Sequence, residues 1–95
     1  MEWQPYDPGW LVEQALNQKP ELTELHEALR TCTKAQIDNE QPAEYGPVIY
    51  FVDRMEGQFR TNIILMSPEH GRKVVLDILE DGRVGSIAFI PVAPN

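Results

Sequence analysis

The chain has one cysteine, Cys32, among its 95 residues, so it forms no disulfide within itself. It has no apolar run near the ~20 residues that a membrane-spanning helix needs. The longest apolar runs, 48–52, 63–66 and 87–92, have the length of β-strands. The first residues carry neither the cationic start nor the apolar segment of a signal peptide. We therefore expect a cytoplasmic protein, because a reducing compartment suits a lone thiol.

Basic residues are scarce, with eight Lys and Arg against fifteen Asp and Glu, which gives a net charge of −7. Nine of the acids but three of the basic residues lie in 1–44, so this half has a net charge of 3 − 9 = −6. The remaining half, 45–95, has 5 − 6 = −1. So acidic a chain repels nucleic acid and anionic membranes, and we expect neither as a partner.

The sequence also lacks the motifs of common catalytic and cofactor sites. It has no glycine-rich phosphate motif, and one cysteine with two histidines does not complete a common zinc motif. His26 and Cys32 are six residues apart, which on a helix places them on different faces. We expect no enzyme activity, no metal and no cofactor, with His26 on a helix surface and Cys32 as a small buried hydrophobe.

The length allows a single domain, 1–95, with a helical acidic half at 1–44 and a β half at 45–95. Asp7-Pro8 has the pattern of a helix start, and Pro20 can open a second helix. Apolar residues recur at helical spacing behind both signals. They are Leu11, Val12, Ala15 and Leu16 in the first helix, and Leu22, Leu25, Leu29 and Cys32 in the second, with Ala28 and Ala35 flanking.

The second half predicts four strands at 48–53, 59–66, 74–80 and 83–90, each linked to the next by a short turn or loop. Asp81-Gly82 is typical of a two-residue type I′ hairpin turn. Short links make consecutive strands antiparallel neighbours. The predicted fold is therefore α+β, with two N-terminal helices packed on one face of a four-stranded antiparallel meander.

The Asp81-Gly82 turn predicts a register in which Glu80 opposes Arg83. One sheet face is then continuously apolar, and we expect it to receive the helices; it carries Val74, Leu76, Ile78, Ile87 and Phe89. The opposite face, called the second face below, mixes polar residues with aliphatic ones. It carries Lys73, Val75, Asp77, Leu79, Val84, Ser86, Ala88 and Ile90. So many branched aliphatics are unusual on a solvated face and indicate a contact with another molecule.

Three groups of residues are candidate sites. The first is a partner-binding set of acids and second-face residues, namely Glu21, Glu24, Glu27, Val75, Asp77, Leu79, Val84 and Ile90. The second is an anion site at the cationic residues His70, Arg72 and Lys73. The third is the aromatic N-terminal segment, in which Trp3 and Tyr6 are either a clasp over the core or a recognition patch.

These features predict a small acidic interaction protein, of the inhibitor, immunity protein or adaptor type, that binds a basic protein partner. One alternative is a homodimer that pairs through the second face and serves as a structural or regulatory unit. Another alternative is a small anion-ligand binder or enzyme that uses His70, Arg72 and Asp77.

Overall fold

In a computed structural model, which describes residues 2–41, 46–53, 59–67 and 72–91, the chain has an α+β fold. The helices are α1 (Gly9–Gln18) and α2 (Thr23–Arg30). The strands are β1 (Gln4–Pro5), β2 (Lys34–Asp38), β3 (Val48–Tyr50), β4 (Phe59–Met66), β5 (Arg72–Leu79) and β6 (Val84–Pro91). They form one six-stranded antiparallel sheet in the order β1-β2-β3-β6-β5-β4, with helices in contact with β4 and β6.

The sheet differs from the predicted meander in strand number and order. Strand β3 pairs with β2 and β6 rather than with β4, so the expected hairpin between residues 48–53 and 59–66 is wrong. The short turn or loop expected between these two strands, at 54–58, lies outside the described residues. Strand β2 occupies a stretch predicted as the end of the second helix, because Ala35 fits the core when the chain is extended and is fully buried there. The hairpins β4–β5 and β5–β6 are confirmed.

The helix starts follow the sequence signals with small shifts. The Asp7 carboxylate accepts the N–H of Gly9, the first residue of α1, over 2.9 Å. Helix α2 begins three residues after Pro20, at Thr23. The Glu27 and Arg30 side chains form the i,i+3 ion pair that their spacing allows, with 2.5 Å between Oε1 and Nη1.

One cluster of buried side chains joins both helices to the sheet. It includes Leu11 and Ala15 of α1, and Leu25 and Leu29 of α2. The predicted sheet face supplies Val74, Leu76, Ile78 and Ile87, while Phe89 is half-buried against them. Cys32 belongs to the same cluster, as expected, although it follows α2 rather than lying on it. Burial raises the pKa of the Cys32 thiol to about 12.

His26 is buried, so its predicted place on the helix surface is wrong. Its side chain is 4% exposed, and its Nε2 lies 2.9 Å from the backbone carbonyl of Lys19. The reversal between α1 and α2 brings this carbonyl over the first turn of α2, where the ring nitrogen provides it with a hydrogen-bond partner. The sequence pattern does not show this because the contact depends on the angle between the two helices.

The β5–β6 register agrees with the prediction away from the turn and departs from it near the turn. Lys73 pairs with Ile90 and Asp77 with Ser86, as predicted. At the turn, the N–H of Leu79 donates to the carbonyl of Arg83 over 2.9 Å, so the loop is residues 80–82 rather than Asp81-Gly82 alone. Gly82 has a φ of 90°, a left-handed conformation that favours glycine.

A bulge between Val84 and Ser86 restores the predicted register and changes the face on which Val84 lies. Asp77 opposes Ser86, but Ile78 opposes Val84, so Gly85 is the extra residue. Val84 is therefore on the core face, 2% exposed, and its predicted place on the second face is wrong. Gly85 lies under Leu79, and a Cβ there would come within 3.0 Å of Leu79 Cδ2. Glycine at the bulge thus lets Leu79 cover the backbone.

Candidate functional site

Helix α2 and the turn before it carry three exposed acids. Leu25 and Leu29 of α2 are buried in the core, so Glu24 and Glu27 of the same helix are exposed, and Glu21 is exposed in the turn that precedes α2. The β5–β6 turn lies beside the N-terminal part of this helix, because Gly82 and Glu24 line the same cavities. Two segments that are distant in the sequence thus form one acidic surface.

A cavity of about 290 Å³, called the α2 cleft below, opens between the start of α2 and the sheet. Its apolar lining residues are Leu22, Leu25, Ile63 and Ile78, and its rim carries Glu21, Thr23, Glu24 and Gly82. Leu22 and Ile63 are half-buried, so apolar surface remains accessible at the bottom of the cleft. An acidic rim around an apolar base is the arrangement expected of a protein-binding site, where apolar contact at the centre is surrounded by polar groups.

A larger groove of about 690 Å³ continues from the α2 cleft along the helix, and both share Thr23, Glu24 and Gly82. It is lined by Glu24, Glu27 and Asp81 together with Arg30 and Arg83. The two arginines pair within the chain, Arg30 with Glu27 and Arg83 Nε with Asp81 Oδ2 at 2.6 Å. With Glu21 from the cleft, four carboxylates and two guanidinium groups give this surface a net charge of −2.

Asp81 is held as a carboxylate by the residue that follows the turn. The backbone N–H of Arg83 donates to Asp81 Oδ1 over 3.0 Å, and Arg83 Nε donates to Oδ2. These hydrogen bonds, the backbone one first, lower the pKa of Asp81 below its ordinary value. The hydrogen bonds within the turn therefore favour the charged form of Asp81, which lines the groove.

The second face lies on the opposite side of the sheet from the acidic surface. Val75 and Leu79 are almost fully covered, at 8% and 7% exposure, while Ile90 is 42% exposed. Asp77 lies on an inner strand and accepts a hydrogen bond from Ser86 Oγ at 2.8 Å. The predicted partner-binding set is thus divided by the sheet: Glu21, Glu24 and Glu27 lie on one side, and the second-face residues on the other, with Val84 in the core.

The predicted anion site is not assembled in the described part of the chain. His70 lies outside the described residues, and Arg72 and Lys73 are neighbours on β5, so they face opposite sides of the sheet. Arg72 lines a cavity on the core side with Tyr6, Trp10 and Phe89. Asp77 is on the second face, so the structure does not bring Arg72 and Asp77 together.

Tyr6 packs over one end of the core, whereas Trp3 does not. The indole Nε1–H of Trp10 donates to the Tyr6 hydroxyl over 2.9 Å, and the Tyr6 ring meets Phe51 edge-on with centroids 5.3 Å apart. Burial is the main cause that raises the pKa of Tyr6. Trp10 stacks on Phe89 at 6.0 Å. Trp3 is 44% exposed. Tyr6 is therefore the clasp residue of this segment.

The site includes residues that the sequence interpretation missed, namely Ile63 in the base of the α2 cleft and Asp81 at the groove. The Asp81-Gly82 pattern does indicate that Asp81 is exposed, because acids next to glycine in turns face solvent. Nothing in the sequence, however, places that turn beside α2. Within residues 2–41, 46–53, 59–67 and 72–91, no group of three His, Cys, Asp or Glu side chains is arranged to hold a metal ion. Neither described helix has the length and apolar character to cross a membrane.

Comparison of the chain with protein-family models, with curated proteins and with solved structures gives no match.

Proposed function

We propose that this protein is a cytoplasmic, non-enzymatic interaction module that binds a basic segment of a partner protein at the α2 cleft. The observation that carries the proposal is the acidic rim of Glu21 and Glu24 around an apolar base. The partner segment that fits has arginine or lysine side chains for the rim and one apolar side chain for the base. An inhibitor, immunity protein or adaptor would act by such binding.

The two parts of the site have different physical roles. The base formed by Leu22, Leu25 and Ile63 provides apolar burial, which determines how slowly a complex dissociates. The acids provide attraction that extends over about 8–10 Å near physiological salt, which raises the rate of encounter with a basic partner. Because Glu21 and Glu24 form no ion pair with a described residue, their charges are available to a partner without the loss of an internal contact.

The first test is affinity capture from the source cell with the wild type and with a Glu21→Gln/Glu24→Gln/Glu27→Gln variant. Glutamine keeps a similar helix propensity, so α2 remains folded. A captured protein is then purified, and its association and dissociation rates are measured. We expect association with the variant to slow by about tenfold or more at low salt, with little change in dissociation.

A matched control removes the same number of charges away from the site. Glu2, Glu13 and Glu40 are exposed and line neither the α2 cleft nor the groove, so their replacement by glutamine gives the same net charge. The proposal requires this control to associate close to the wild-type rate. Equal slowing by both triple variants would show that net charge alone matters, and would contradict binding at the α2 cleft.

A further inference from the structure

We propose that two copies of this chain pair through the outer edge of β4, antiparallel and about a twofold axis, so that their sheets become continuous. Among the described strands, β4 is the last in the sheet order, and its other edge pairs with β5. This inference does not rest on the proposed function, because it concerns the backbone groups of a sheet edge rather than the acidic rim, although Ile63 belongs both to this edge and to the base of the α2 cleft.

The side chain of Gln18 shows which backbone groups of β4 point outward. Its Nε2 donates to the carbonyl of Met66 over 2.9 Å, and its Oε1 accepts the Met66 N–H over 2.6 Å. Both backbone groups of Met66 therefore point away from β5. Because the direction alternates along a strand, the N–H and C=O groups of Ile64 and Asn62 also point outward. The N–H of the next residue, Ser67, donates to the carbonyl of Arg72 and so points toward β5, which agrees with this alternation.

The part of the β4 edge that can pair with another strand is limited at both ends. At one end, Gln18 already occupies the backbone groups of Met66, in the manner of a partner strand. At the other end, the register shifts between Phe59 and Thr61, which bends the strand there. The remaining segment, 61–65, is centred on Ile63. In the dimer, Ile63 of one copy lies opposite Ile63 of the other. Asn62 of each copy then lies opposite Ile64 of the other copy. Each of these two Asn62–Ile64 pairs exchanges two backbone hydrogen bonds.

The charge of this segment favours a second copy as the occupant. Residues 61–65 are Thr-Asn-Ile-Ile-Leu, without a charge, in a chain whose net charge is −7. Two copies repel each other less when they meet through an uncharged segment than through α2. A basic segment gains nothing from this edge and is drawn to the acidic surface instead. The β-branched residues suit strand pairing, and Ile64 is 50% exposed.

Exposed apolar side chains on the second face border the same edge. Ile64 and Met66 are each 50% exposed and lie on this face of β4. In the paired arrangement the two copies of Ile64 lie near the axis on one side of the joined sheet, and the two copies of Ile63 meet on the other. Edge pairing thus covers apolar surface on both sides as well as completing backbone hydrogen bonds.

Sedimentation equilibrium of the full chain tests this pairing with two variants at one position. Asn62→Pro removes one outward N–H from each copy, so the dimer loses two hydrogen bonds. A proline is tolerated on an edge strand where its nitrogen faces solvent. Asn62→Ala keeps the N–H and is the control. We expect a wild-type dimer, a similar dimer for Asn62→Ala, and at least tenfold weaker dimerisation for Asn62→Pro. Circular dichroism checks that each variant is folded.

A second pair of variants keeps the test decisive if proline disturbs the strand. Ile64→Lys places a charge at the pairing edge, and Ile90→Lys makes the same change at a similarly exposed position of β6, away from the edge. Edge pairing predicts that the first variant is monomeric and the second still dimerises. A monomeric wild type at its highest soluble concentration overturns the proposal, as does a dimer that Ile90→Lys alone dissociates, which would indicate pairing through the second face.

Salt separates this proposal from the proposed function. Because the two copies carry like charge, added salt strengthens the dimer, whereas it weakens binding of a basic partner. A variant with Glu21, Glu24 and Glu27 replaced by glutamine should retain the dimer. Weaker dimerisation in high salt contradicts the edge pairing and leaves the α2 cleft unaffected.

Discussion

Replacing Val84 by threonine tests the register that the Gly85 bulge imposes on the β5–β6 hairpin. Val84 is 2% exposed and opposes Ile78 on the core face. The Val84→Thr substitution keeps the shape of the side chain, so it opens no cavity, but it places a hydroxyl among apolar side chains. Burial of a hydroxyl without a partner costs about 1–3 kcal/mol, and we expect the free energy of unfolding to fall by that amount.

Urea unfolding followed by circular dichroism measures this change as a lower midpoint at an unchanged slope. The control is Val48→Thr, the same replacement on the second face, where Val48 is half-buried on β3 and water reaches the hydroxyl. We expect the control to change the free energy of unfolding by less than about 0.5 kcal/mol. An equally small effect at Val84 would refute the bulge and return this residue to the second face.

Three further predictions follow from the core and the sheet edge. Leu25→Ala should lower the free energy of unfolding by about 2–5 kcal/mol in urea, and a loss below about 0.5 kcal/mol would show that α2 is not docked. Cys32 should resist a thiol reagent at pH 8 in the native protein and react in urea, because burial raises its pKa from 9.0 to about 12. Since the folded state holds the thiol proton more tightly, stability should fall as the pH rises from about 9 toward 12, and a native thiol that reacts readily would contradict its burial. Gln18→Ala should lower the free energy of unfolding by about 1–2 kcal/mol through loss of three hydrogen bonds, two to the Met66 backbone and one to Gln14, and should increase association in light scattering by freeing the Met66 backbone.

Local patterns in the sequence were sufficient to predict the helices, the core stripe and the β5–β6 pairing. Leu25, Leu29 and Cys32 follow one apolar stripe, and all are buried. The pairing of Asp77 with Ser86 follows from the Asp81-Gly82 turn, even though the loop is longer than predicted. These features depend on residues close in the sequence, where periodicity and turn chemistry act directly.

The order of the strands could not be predicted from the same patterns. Strand β3 lies between β2 and β6, where its Ile49 pairs with Ile87 of β6 and both side chains are buried in the core. This position depends on the packing of the assembled core rather than on a local pattern. Strand β2 is short, and its residues Lys34–Asp38 fit a helix and a strand almost equally well by composition. The rule that consecutive strands pair is a tendency, and here β3 pairs with β2 and β6 but not with β4.

The candidate site shows the same division between local and assembled features. Exposure of Glu24 and Glu27 follows from helical spacing, and both are exposed in the structure, whereas Glu21 is exposed in the turn before α2. The apolar base of the α2 cleft depends on Ile63 and Ile78, which come from the sheet. The burial of His26 likewise depends on the carbonyl of Lys19 and on the angle between the helices. The base of the α2 cleft and the burial of His26 therefore depend on contacts between elements, which the local sequence pattern does not predict.

The most direct test of the α2 cleft as a binding site is a titration of the isotope-labelled protein with two synthetic peptides, followed by amide chemical shifts. One peptide has a single isoleucine flanked by arginines, and the other has serine in place of the isoleucine. We predict that the isoleucine peptide shifts the amides of residues 21–25 together with Ile63, Ile78 and Gly82, and binds more tightly than the serine peptide. Equal binding of both peptides, or shifts confined to the second face, would contradict the proposed site.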